Sequence, residues 1–473
     1  MFNKIWQSMD VTMIKTKPKA LAQAILLSTI FVGTSAQATS FLPQDPRAMA
    51  MGGSSVSIAN SSQAHYYNPS LLHNAREDED FNWEIDATAR VSDNDQLLMS
   101  MNEFGEEDII GSFNTGLLNY TAAFNAFSTT PTPTTLQDFI DAQASLKDAS
   151  TNLQTGIQDV TGKSISADVN VGTSFSIPNL NTVSAALYFN AWTNFSLQGD
   201  LSEADDNTMN TLINLLNFQI PTTPAEVLAQ QAQIQQNVTD INNLDVENNL
   251  SSTIGMSGGI IQEFGLSLAT NYAISGYDFD IGITPKYMVV TTTDFVMQLN
   301  ELTDENEPFN EDDTKEHSSF NADIGLSKQL NENWKTGFVI KNIIPQSFDT
   351  PSGKSEINID PAARIGASYQ NNWASIAVDF DLTENDAIGG FSKTRFLTIG
   401  TELDVWLLKL RAGYRANLAS GGGNVPSVGL GLYLFGVNAD IAMAANQFEV
   451  PETLEAASEF DDISIAARIG IQW

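Results

Sequence analysis

In the stretch DISIAARIGIQW, residues 462–473, the side chains alternate in character. Ile463, Ile465, Ala467, Ile469, Ile471 and Trp473 share one parity, and Ser464, Ala466, Arg468, Gly470 and Gln472 share the other. A period of two describes an extended strand with one apolar and one polar face. A soluble antiparallel strand reads the same way, so the remaining segments decide which environment the apolar face meets. If it meets lipid, odd positions here point outward, even positions point into a lumen, and every other strand can be read with the same key.

The chain has 473 residues, with 22 Lys+Arg against 57 Asp+Glu and a formal net charge of −35. That balance argues against nucleic acid as a partner, because a phosphate-binding surface is basic. Cysteine is absent, which excludes disulfides, thiolate catalysis and Cys-based metal sites. Lys15, Lys17 and Lys19 precede an apolar run at 20–33, followed by Ala36-Gln37-Ala38. This is the order of a secretory signal peptide, expected over 1–38, and the run is too short to span a bilayer comfortably. A lone membrane anchor is the competing reading.

Residues 39–80 come next. Their core, FLPQDPRAMAMGGSSVSIANSSQAHYYNPSLL at 41–72, lacks sustained alternation and is rich in Gly, Ser, Asn and Pro. It reads as compact irregular structure with short turns. Met51-Gly52-Gly53, Asn60 and Tyr66-Tyr67-Asn68-Pro69 form its distinctive constellation. The glycines let backbone run close against another surface, and Asn-Pro fixes a turn. An ordinary N-terminal loop is the alternative.

From residue 81 onward the period of two returns repeatedly. Strands are expected at 81–91, 164–177, 183–198, up to about 274 after a long insert, 277–299, 318–329, 334–342, 362–369, 373–382, 395–404, 408–418, 427–434, 437–445 and 462–473. Residues 251–261 read either as a separate strand or as the protruding top of the fourth. Only an even count keeps the connections alternating between short turns and longer loops, so the second reading is adopted. The outcome is a fourteen-stranded antiparallel barrel over 81–473 with its short turns on the periplasmic side. Such segregation of loop lengths has no cause in a soluble sandwich.

On this key, Glu84, Asp86, Arg90, Lys286, Lys335, Lys341, Arg364, Asp379, Asp381, Glu402, Lys409, Arg411, Arg415 and Arg468 face the lumen. A Lys or Arg on the lipid face near the midplane costs about 2–4 kcal/mol, so this sorting is what a barrel requires. Ion-pair ladders that stiffen the wall and hold the N-terminal segment explain it plainly. A polar lining or carboxylate-binding site on a transport route is the sharper reading.

The inserts at 92–163 and 199–250 carry helical spacing, through Leu136, Phe139, Ile140, Leu153, Ile157 and Val160 in the first. In the second, Thr223-Pro224-Ala225-Glu226 is a capping box with proline at the first helical position. The nearly apolar run at 209–220 needs a partner: the other loop helices, lipopolysaccharide, a hydrophobic ligand or another protein. The acidic run at 304–313 lacks EF-hand spacing and reads as solvated charge, so no metal or cofactor is expected. Of the three histidines, His65 and His73 precede the barrel and His317 falls just outside the expected sixth strand. None pairs with Ser or a carboxylate at a recognisable nucleophile spacing, and an enzyme is not expected.

With these residues in view, the final strand resembles the terminal recognition strand of bacterial outer-membrane barrels. That resemblance makes Ile469, Ile471 and Trp473 the signal for the barrel-assembly machinery. The Met51, Gly52, Gly53, Asn60, Tyr66, Tyr67, Asn68 and Pro69 constellation resembles the plug of FadL-like outer-membrane proteins, which implies a gate at 51–68. From 336 to 446 the runs GFVIKNIIP, DPAARIGASY, LTIGTELDVW, LRAGYRANL and PSVGLGLYLFG are similar to the conjugal transfer protein TraF family of outer-membrane proteins. A namesake with a thioredoxin-like fold is a different protein, and a chain without cysteine inherits no redox chemistry from it. The resemblance implies residence in the bacterial outer membrane among its lipid and lipopolysaccharide. It also implies passage of a small hydrophobic or amphipathic ligand. The competing expectation is a non-transporting platform of a conjugal transfer or envelope assembly.

Overall fold

A computed structural model describes residues 41–74, 80–93, 95–106, 108–180, 182–274, 277–298, 314–353, 356–386, 393–419, 424–446 and 462–473. The expected signal peptide and the acidic run at 304–313 lie outside the described residues.

Fourteen strands close into one antiparallel barrel. They are β1 Asn82–Ser92, β2 Ser164–Leu180, β3 Val183–Asp200, β4 Thr253–Ile274, β5 Tyr277–Gln298, β6 Thr314–Gln329 and β7 Trp334–Lys341, then β8 Ala362–Gln370, β9 Ala374–Asp381, β10 Phe396–Val405, β11 Leu408–Asn417, β12 Asn424–Leu434, β13 Val437–Ala445 and β14 Asp462–Gln472. Residues 253–274 form one strand, which settles the status of the stretch at 251–261. Closure joins first strand to last, in register from Asn82 with Gln472 to Ser92 with Asp462. Each of the fourteen strands therefore has a neighbour on both sides, as a wall surrounded by hydrocarbon demands.

The alternation sorts side chains as the key requires. Ile465 and Ile469 are 56% and 55% exposed, whereas Arg468 between them is 4% exposed. Aromatic pairs stand across neighbouring strands on the outer face, among them Phe189 with Phe264 and Tyr287 with Phe320. A water-facing monomer rarely shows so continuous an apolar surface, and the band meets lipid. No described helix is long and apolar enough to cross a membrane; the crossing is made by strands. The protein is an outer-membrane β-barrel.

Strand length divides the wall. Crossing takes about 9–11 tilted residues, and β10 and β12 have 10 and 11. β4 and β5 have 22 each, so this side rises well beyond the bilayer. The raised side carries the helical loops: α3 Leu97–Glu106, α4 Ile109–Thr129 and α5 Pro133–Val160 between β1 and β2, and α6 Glu203–Leu216, α7 Pro224–Ala229, α8 Gln231–Asn243 and α9 Val246–Asn249 between β3 and β4. Thr132 and Thr223 cap α5 and α7 ahead of prolines. The apolar faces of both loops meet in one core containing Phe113, Phe139, Leu153, Met209, Leu212, Leu216 and Val238. The greasy run at 209–220 is therefore covered by its neighbouring helices.

Some sequence expectations need correction. The connection after β7, read as a loop, holds a small hairpin that pairs Gln346–Asp349 with Glu356–Ile359. β6 starts at Thr314, so His317 sits on a barrel strand near the outer rim, where no histidine was expected. Its parity was legible, but the adjoining charged residues masked where the strand began. A register shift between Ile177 and Leu180 also carries β2 into its expected turn.

Candidate functional site

The lumen is the site, and residues 41–74 occupy it. The segment forms α1 Pro46–Ala50, α2 Ala64–Tyr67 and two short 3-10 turns, Ser61–Gln63 and Pro69–Asn74. Asp45 starts α1 because its carboxylate accepts from the Arg47 and Ala48 amides at 2.8 and 3.2 Å, with proline at the first helical position. The same carboxylate accepts from the Tyr67 hydroxyl at 2.6 Å, tying the two helices together. Tyr66 donates instead to Asp86 on the wall, at 3.1 Å.

Gly52 and Gly53 follow α1 with φ of +68° and +97°, a region where a side chain is strained. A Cβ on Gly52 would also lie 2.6 Å from the Tyr414 backbone. Met51 is fully buried in a small cluster with Ile58 and Ala377. Asn60 precedes the first 3-10 turn without a side-chain capping bond. Asn68, extended before Pro69, acts as a tie: its amide donates to Val56 and Leu326 carbonyls at 2.8 and 3.3 Å and its oxygen accepts from Ser70.

At several points the wall facing this segment carries glycine, which leaves room for the segment's backbone. Gly282, Gly325, Gly337, Gly400, Gly413 and Gly429 stand at inward positions of β5, β6, β7, β10, β11 and β12, and a Cβ at any of them would collide with segment atoms. Gly282 pairs with Gly325, and Gly400 with Gly413, so each of these gaps spans two strands. Sequence periodicity does not single these glycines out. Parity gives the face a residue occupies but not what lies opposite it.

The inward charges assemble into networks. One alternates guanidinium and carboxylate around the wall. Arg47 grips Glu402 with two bonds of 3.0 and 3.1 Å; Arg411 joins Glu402 to Asp440 at 2.5 Å each; and Arg468 joins Asp440 to Glu84, the latter at 3.2 Å. A second sets Arg90 between Asp168 and Asp462, at 3.0 and 2.8 Å, with Arg415 3.6 Å from Asp462. In a third, Arg364 pairs with Asp381 at 2.5 Å and donates to the Gly53 carbonyl. Asp379 accepts from the Ser55 and Val56 amides at 2.7 and 2.9 Å. Lys286 lies between Glu263 and Asp323, and Lys341 is buried at lumen parity nearby. Arg47 could not be found by strand parity because it lies before the barrel. Strand parity does carry the signal for Asp440, Asp462, Asp168, Glu263 and Asp323, the carboxylate partners in these networks.

In the outer wall, a depression of about 690 Å³ is lined by Trp83, Phe175, Leu187, Phe264, Tyr287 and Phe320 together with Gly265 and Pro285. Pairing of β4 with β5 lapses here, between Gly265–Lys286 and Leu268–Ile283, because proline has no N–H to donate. Behind Gly265 stands the Tyr188 ring, stacked on His65 at 4.6 Å. Elsewhere His73 contacts the Ser184 hydroxyl at 3.2 Å, and His317 contacts the Asp349 carbonyl at 3.0 Å.

A sequence profile described as "F plasmid transfer operon, TraF, protein" matches residues 65–381. No curated protein sequence matches. Among solved structures, the Ralstonia pickettii toluene transporter TbuX superposes with a TM-score of 0.46 at 10% identity, covering 90% of this chain and 97% of that one. The P. putida toluene transporter TodX gives 0.44 at 11%, covering 91% and 98%. A Pseudomonas aeruginosa FadL homologue gives 0.44 at 9%, covering 93% and 99%.

Proposed function

The chain belongs to the F plasmid transfer operon TraF protein family, and on that footing we propose that it is a gated outer-membrane channel for small hydrophobic or amphipathic compounds. The observation that carries this reading is how residues 41–74 are held. They contribute no strand to the barrel. Hydrogen bonds, ion pairs and close glycine contacts fix them, such as Arg47 to Glu402 and Ser55 to Asp379. An insert fastened this way can shift while the wall stays closed, so Met51, Gly52, Gly53, Asn60, Tyr66, Tyr67, Asn68 and Pro69 form the gate. The lapse at Pro285, with its aromatic lining, is the exit toward lipid that the reading favours.

A second reading has its own support. The described lumen is filled and the loop helices cover one another, which also suits a non-transporting component of a transfer or envelope assembly. Uptake of a labelled apolar probe by cells with intact lipopolysaccharide separates the two. The channel reading expects faster uptake with the protein than without it, and faster still when Asp379→Asn loosens the segment. Uptake equal to that of cells lacking the protein would leave only the assembly role.

A further inference from the structure

The hairpin after β7 turns its two faces to different surroundings. Asp349 and Glu356 are exposed, while Phe348, Ile357 and Ile359 are buried. The buried three pack on Trp192, Ile261, Met288 and Val290, inward-facing residues of β3, β4 and β5 near the raised rim. A barrel lumen exposed to water has no use for such a patch, and the hairpin is what keeps it dry. Polar contacts at its edge add to this packing: Thr292 and His317 contact the Asp349 carbonyl at 2.8 and 3.0 Å, and Thr350 donates to Asp294 at 2.7 Å. Within the patch, Trp192 is 8% exposed and its indole Nε1 has no hydrogen-bond partner among the described residues. Buried donors are nearly always paired, and one left alone calls for an acceptor.

We propose that this inner-wall patch is a binding site for a compact apolar molecule bearing one hydrogen-bond acceptor, with the hairpin as its built-in competitor. The ligand displaces Phe348, Ile357 and Ile359 and presents its acceptor to the Trp192 N–H. The site deepens the channel reading, since it supplies a station for cargo inside the mouth, and it rests on that reading for its role in passage.

The test is calorimetric titration of the purified full-length barrel in detergent, against protein-free micelles, with acetophenone and with ethylbenzene, which lacks the acceptor. Acetophenone should bind about tenfold more tightly, the value of one well-placed hydrogen bond of ~1.4 kcal/mol. Trp192→Phe should erase that preference and leave ethylbenzene binding intact. Phe348→Ala, which weakens the competitor, should tighten both. In a chain without cysteine, Thr292→Cys with Asp349→Cys should abolish binding when oxidised and restore it when reduced. Equal affinity for the two probes, or binding indifferent to the clip, overturns the site. Binding as described without any uptake by cells leaves the site standing and sinks the channel; uptake without this binding pattern does the reverse.

Discussion

Glu402 shows how one side chain couples segment and wall. Its carboxylate accepts from Arg47 of the segment and Arg411 of β11, and it is almost fully buried. Removing one partner of a buried pair leaves the other charge uncompensated, at about 3–5 kcal/mol. Glu402→Ala should therefore lower the unfolding midpoint of the purified barrel and expose Arg47 to limited trypsin digestion; unchanged cleavage at Arg47 would show that the pair does not hold the segment. Gly413→Val is the contrasting case. A Cβ there would sit 2.1 Å from the Gly52 nitrogen, so the variant should close as a barrel yet leave residues 41–74 open to protease. Sequence periodicity assigns Glu402, Arg411 and Arg364 to the inner face, because water and hydrocarbon penalise the opposite choice, and all three are buried. It said nothing of Arg47, whose position is set by contact with residues 355 places later in the chain.

At the scale of elements, the helical cap depends on how β1 gives way to α3. Asp93 accepts from the Leu97 and Leu98 amides at 2.6 and 3.0 Å. Burial raises its carboxyl from 3.8 to about 6, against the lowering effect of those two amides. A raised folded-state value means the protonated acid favours the folded loop. That contribution is complete below pH 4 and fades as pH rises through 6. Protection of the Leu97 and Leu98 amides against hydrogen exchange should fall between pH 4 and pH 7, and Asp93→Asn should flatten the change; a flat profile in the unaltered protein would refute the assignment. Helix positions in both inserts were readable from spacing and from Thr223-Pro224. The hairpin at 346–359 was not, since four-residue strands are too short to establish a period.

For the whole molecule, closure and orientation follow from one rule of alternation, and the rule is asymmetric in cost. Ile469→Arg places charge on the lipid face and should cost about 2–4 kcal/mol, whereas Ser464→Ala, on the lumen face of the same strand, should leave stability nearly unchanged, because its buried hydroxyl has no hydrogen-bond partner among the described residues. Denaturant unfolding of the barrel in lipid vesicles compares the two directly, and equal losses would contradict the assigned faces. Fourteen strands, their order and the segregation of short turns from long loops were all legible beforehand, because each strand carries its own record of two solvents. The plug was legible through the resemblance carried by residues 51–69, but the wall residues it meets were not, because packing between distant segments leaves no local period.

The filled lumen also constrains the order of biogenesis. Residues 41–74 are synthesised before every strand they touch, yet several of their partners, Glu402, Ser427 and the backbone of Tyr414 among them, come from the last third of the chain. β1 cannot pair with β14 until the end is present. The segment is thus enclosed by a wall that is completed around it, and contacts of such long sequence separation make that final step slow. A folding intermediate that seals first would hold its amino-terminal residues outside, and time-resolved protection of Arg47 from trypsin would reveal which event comes earlier.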